Sequence, residues 1–61
     1  MERKIILLNI QSYTKAIQEK LEHLEQHGET EWTCQYDGIV LTTTELIERY
    51  ADTILSYMGG L

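Results

Sequence analysis

At 61 residues the chain has room for a single domain over residues 1–61, and a domain of that size buries only about 60% of the surface its unfolded form exposes. Cys34 is its one cysteine, so no internal disulfide can offset that thin margin, and a lone thiol fits a reducing compartment. The net charge of −5 and the pI near 4.7 oppose direct nucleic-acid binding, which needs a basic footprint.

At 43% hydrophobic and 25% charged residues, the chain has the composition of a globular protein, not a disordered one. Charge is unevenly spread. Residues 1–20 carry Arg3, Lys4, Lys15 and Lys20 against Glu2 and Glu19, whereas residues 21–61 carry eight acids against Arg49 alone.

The chain opens on Met1-Glu2-Arg3-Lys4 and an apolar run of four residues, Ile5 to Leu8. That run is too short for a signal-peptide core, and no stretch approaches the roughly 20 apolar residues that cross a bilayer. A cytoplasmic protein without membrane contact is the expectation. A helix run back to Met1 would add Ile6 to the apolar stripe that follows but scatter Ile5, Leu7 and Leu8 around its other sides, and adjacent isoleucines favour extended structure. A strand over Lys4–Leu8 is therefore expected, with a continuous N-terminal helix as the alternative.

Downstream, Ile10, Tyr13, Ile17, Leu21 and Leu24 recur every three or four residues, the spacing of one helical face. Asn9 or Ser12 would cap this helix, Leu8 and Tyr13 would staple its start, and Gly28 ends it.

Asp37-Gly38 lies between two alternating segments, Glu31–Tyr36 and Ile39–Thr42, and suits a two-residue hairpin turn with positive φ at both positions. The register implied pairs Tyr36 with Ile39, Gln35 with Val40 and Cys34 with Leu41. Trp32, Cys34, Tyr36, Ile39 and Leu41 then share one face of the hairpin.

Thr42 and Glu45 have the spacing of a capping box, flanked by Leu41 and Leu46 as its hydrophobic staple. The helix they open ends at Gly59-Gly60, expected to form a left-handed cap. Its apolar residues Leu46, Ile47, Tyr50, Ala51, Ile54, Leu55, Tyr57 and Met58 fill about half the circumference. The fold class is α+β, in the order β-α-β-β-α, or α-β-β-α if the first helix is continuous.

This pattern has more apolar surface than one small sheet and two helices can cover between them. A homodimer is the economical cover. Tyr50 and Tyr57 lie near Leu46 at one edge of the arc. Tyr50, Tyr57, Leu46, Trp32, Glu48 and Asp52 form the candidate partner-binding set, since aromatic residues concentrate at interaction hot spots.

His23 and His27 share a helical face and precede Cys34, which raises a three-ligand zinc site. The histidines fall off the apolar stripe, however, and Cys34 falls on the hairpin's apolar face, where packing explains it. No metal and no cofactor is expected. Ser12, Ser56 and Cys34 lack a histidine–acid constellation, and the glycines sit at turns, so no catalytic residues are assigned.

The function expected is therefore non-catalytic: a small acidic interaction module, a regulator or inhibitor that binds another macromolecule. One alternative is a self-assembling structural component. Another is a DNA mimic whose carboxylates block a nucleic-acid-binding protein.

Overall fold

The computed structural model describes residues 2–61. Its elements run α1 (Arg3–His27), β1 (Glu31–Thr33), β2 (Val40–Thr42) and α2 (Thr43–Met58). The class is α+β, but the expected strand over Lys4–Leu8 does not form, because those residues belong to α1. The Ile6 N–H donates to the Glu2 carbonyl at 3.1 Å, closing the first helical turn.

What decides for helix is distant in sequence. Ile6 extends the stripe of Ile10, Tyr13, Ile17 and Leu24, and it is only 3% exposed. A Cβ placed on Gly60 would lie 3.5 Å from the Ile6 Cδ1, so the start of α1 packs against the end of α2. Ile5, Leu7 and Leu8 do scatter around the helix, and all three are exposed. Neither Asn9 nor Ser12 is a cap: Glu2 occupies that position and makes no side-chain cap bond. Leu8 and Tyr13 both lie inside the helix and staple nothing. Gly28 does close α1, at φ +70°, with its N–H on the Leu24 carbonyl.

The hairpin is shorter than expected and shifted by two residues. Glu31 pairs with Thr42, Trp32 with Leu41 and Thr33 with Val40 in an antiparallel two-stranded sheet. Cys34 donates its N–H to the Ile39 carbonyl at 2.9 Å, and Gly38 donates to the Cys34 carbonyl at 3.0 Å. Residues 35–38 thus form the loop. A two-residue turn would need positive φ at Asp37, yet only Gly38 adopts it here, at +70°. Asp37 keeps ordinary backbone angles and uses its Oδ1 to accept the Ile39 N–H at 3.0 Å. A shift of two preserves which side chains share a face, so Trp32, Cys34, Ile39 and Leu41 remain together. Tyr36 moves into the loop and is 98% exposed.

The capping box at the start of α2 is formed in both directions. The Glu45 N–H donates to the Thr42 hydroxyl at 3.2 Å, and the Thr42 N–H donates to Glu45 Oε1 at 3.0 Å. Glu29 adds a third partner there, its Oε1 accepting the Thr44 N–H at 3.0 Å. At the other end Gly59 is right-handed, φ −61° and ψ −21°, so the left-handed cap is not made. Its N–H reaches the Leu55 and Tyr57 carbonyls instead.

α1 and α2 pack antiparallel. Tyr13 bridges them, its ring 5.7 Å from Tyr50 and 6.1 Å from Tyr57. The hairpin covers one side of the pair at the His23 end of α1. The molecule measures 36 × 26 × 15 Å. The short dimension is barely more than one helix with its side chains, about 10–12 Å. No helix is long and apolar enough to cross a membrane among the described residues.

Candidate functional site

Thr43 is the point where the three parts of the molecule meet. It is fully buried, and its N–H donates to the Thr30 carbonyl at 3.0 Å. Its hydroxyl accepts the Trp32 indole N–H at 3.0 Å and lies 3.2 Å from the Thr30 hydroxyl. The Thr30 hydroxyl in turn meets His23 Nε2 at 2.8 Å. Helix α1, the hairpin and helix α2 are thereby joined through one chain of polar contacts.

That chain fixes the position of the Trp32 ring. The His23 ring meets it edge-on with centroids 5.0 Å apart, and the Lys20 Nζ sits 3.8 Å above the ring centroid. An ammonium over an indole face is attracted by the ring's quadrupole. Trp32 then forms one wall of a groove of about 410 Å³, lined also by Tyr13, Leu41, Leu46 and Tyr50. Lys20 and Arg49 are its charged lining residues, and no carboxylate lines it. Two carboxylates feel Arg49 from a distance, those of Asp37 and Glu45. Each is lowered below its ordinary range chiefly by a backbone N–H, that of Ile39 for Asp37 and that of Thr42 for Glu45.

Of the residues expected to bind a partner, Trp32, Leu46 and Tyr50 line this one groove. Tyr57 adjoins it through Tyr13. Glu48 and Asp52 are both exposed and lie on the side of α2 turned away from Tyr50, about 160° from it at 100° per residue. The acids do not form one track either. Glu22 projects from the outer side of α1, Glu25 lies five full turns from Leu7 and so shares its direction, and Glu48 and Asp52 project from the outer side of α2.

Seven lining residues fall outside the expected partner-binding set, namely Tyr13, Lys20, Thr33, Cys34, Leu41, Arg49 and Thr53. Lys20 carried a signal, since a cation falls there within an otherwise apolar stripe. The His23 and His27 rings meet at a tilt of 45° with centroids 4.8 Å apart, but Cys34 belongs to the groove wall. Among the described residues no group of three or more His, Cys, Asp or Glu side chains is placed to hold a metal ion.

The opposite side of the helix pair is a second surface. α2 turns Ile47, Ala51, Leu55 and Met58 toward it, about half a turn from Arg49 and Thr53 in the groove wall. α1 turns Leu7, Thr14 and Leu21 toward it. Leu7, Leu21, Leu55 and Met58 are exposed, Leu55 by 65%. Thr14 spends its hydroxyl on the Ile10 carbonyl at 2.8 Å, which leaves its methyl to the surface. No family model, curated protein or solved structure matches this chain.

Proposed function

We propose that this chain is a non-catalytic interaction module, a small acidic regulator or inhibitor of another macromolecule, and that it pairs with a second copy through the open apolar face of the helix pair. One observation carries the reading. The chain exposes 4767 Å², whereas a compact monomer of 7.1 kDa exposes about 4,100 Å². The excess, roughly 700 Å², approaches the about 800 Å² that each partner contributes to a standard interface. The radius of gyration agrees: 12.8 Å over Cα atoms, against about 10.5 Å for a compact domain of this length.

A second copy is the favoured occupant because Ile6 is the one buried apolar side chain among the described residues. Such a core needs its cover whenever the chain is folded, and a copy of the chain is always at hand. The face also suits two-fold pairing. An isologous contact brings residues of one patch onto the same patch of the partner, so like charges within it repel. On α1 this flank carries no charge between its ends, while on α2 Glu48 borders it, about 20° from Leu55. On the same flank of α1 its two ends carry opposite signs, Arg3 and Glu25, so antiparallel pairing matches them.

Sedimentation equilibrium tests the reading. At about 100 µM, far above the dissociation constant of even a modest interface, the expected mass is twice 7.1 kDa. A folded monomer at that concentration would remove the self-pairing. A Leu55→Glu variant that stays helical and becomes monomeric would place the contact on α2.

A further inference from the structure

We propose that the groove between the hairpin and the helix pair binds a small organic anion with a flat apolar body, an aromatic carboxylate being the simplest example. Charge is the first argument. The chain has ten acids and five bases, yet the groove lining takes two of the five bases and none of the acids. Lys20 and Arg49 are therefore gathered where no lining group neutralises them. The carboxylates that feel Arg49, those of Asp37 and Glu45, are held outside the lining by the N–H groups of Ile39 and Thr42. A low-dielectric cleft lined by one sign of charge concentrates the opposite ion.

Shape is the second argument. At about 410 Å³ the groove falls within the range of ligand sites, roughly 300–1,000 Å³. Five of its ten lining residues are aromatic or aliphatic, Tyr13, Trp32, Leu41, Leu46 and Tyr50, which gives a flat body apolar walls to pack against. The third argument is preorganisation. Trp32 is held before any ligand arrives, by the Thr43 hydroxyl at its N–H and by Lys20 over its face. A preset wall lowers the entropy lost on binding. The groove lies on the hairpin side, away from the face proposed for self-pairing, so the two proposals stand or fall separately.

The test is a titration of the intact chain with 2-naphthylacetate and, in parallel, with its uncharged amide, followed by the Trp32 indole cross-peak in ¹H–¹⁵N spectra and by Trp32 fluorescence. Saturable shifts at Trp32 with the acid are expected, with the amide binding at least tenfold more weakly. Arg49→Gln should weaken the acid about tenfold and leave the amide unchanged, whereas Lys20→Gln should weaken both ligands, the acid more, because Lys20 also holds the Trp32 ring. Arg49 is exposed, so its variant is expected to fold, as far-UV circular dichroism will verify. Equal binding of acid and amide would overturn the assignment, since the cations would then have no role. So would shifts centred on Leu55 and Met58, or none that saturate by about 10 mM.

Discussion

The indole N–H of Trp32 donates to the hydroxyl of Thr43 across 3.0 Å, and this contact joins the groove to the packing of the whole molecule. Thr43 is fully buried, so removing its hydroxyl takes the acceptor from an indole N–H that is part-buried. Thr43→Val keeps the shape and deletes the acceptor. It should cost about 1–3 kcal/mol, the range for an orphaned buried donor, and lower the melting temperature by about 4–8 °C per kcal/mol in a chain this short. Thr43→Ser keeps the acceptor and loses a methyl. Hydrogen exchange of the Trp32 indole separates the two, with protection lost in the valine variant and kept in the serine variant.

Ile6 is the test of how thin the core is. Burying it against the Gly60 end of α2 is what draws residues 4–8 into the helix. Ile6→Ala should cost about 2–5 kcal/mol. That is a large share of the about 3–9 kcal/mol expected for 61 residues. Tyr36→Ala, at a side chain 98% exposed, should change stability by no more than about 0.5 kcal/mol. Urea titration of both variants checks the pair. Equal midpoints would mean that Ile6 is not the anchor.

How far each element was legible followed from how local its cause is. The capping box needs only Thr42 and Glu45, three residues apart, and it is present in both directions. Gly28 needs only the turn it ends. Over residues 4–8 the local signals conflict, since Ile6 continues the stripe of Ile10, Tyr13 and Ile17 whereas Ile5, Leu7 and Leu8 do not, and the contact of Ile6 with the far end of the chain is not visible locally. The hairpin lies between these cases. Alternation assigned Trp32, Cys34, Ile39 and Leu41 to one face, which a two-residue shift leaves intact. The register itself turned on whether Asp37 would take positive φ or bind the Ile39 N–H, and composition alone does not choose. Within the groove, Trp32, Leu46 and Tyr50 were found as aromatic or edge positions. Arg49 was read only as a lone base in an acidic stretch, because its proximity to Lys20 arises from helix packing.

Acid should destabilise the fold through two exposed carboxylates. Glu45 is held below its ordinary value of about 4.5 by the Thr42 N–H and hydroxyl, and Asp37 below about 3.8 chiefly by the Ile39 N–H. A carboxylate that is more acidic when folded stabilises the protein above its unfolded value, and that gain disappears as pH falls through the folded value. The loss therefore begins near pH 4.5 and deepens below pH 3.8. Glu45→Gln and Asp37→Asn should each flatten this decline, and the double variant should flatten it most. Urea midpoints measured between about pH 2 and pH 6 check it, and an unchanged slope in the double variant would assign the acid sensitivity elsewhere.

Arg3 and Glu25 provide the sharpest check on the proposed pairing, because they test orientation as well as contact. They sit on one flank of α1 near its opposite ends, so antiparallel two-fold packing sets Arg3 of each copy beside Glu25 of the other, twice per dimer. Exposed ion pairs contribute about 0.2–1 kcal/mol each. Reversing one sign in Arg3→Glu should therefore weaken association by roughly two- to thirtyfold. The double reversal, Arg3→Glu with Glu25→Arg, should restore most of it. The effect should shrink in about 1 M salt, where screening acts over about 3 Å. Sedimentation of the three proteins decides. Rescue by the double variant would support the antiparallel arrangement, whereas a dimer indifferent to both reversals would place the two helix pairs in another orientation.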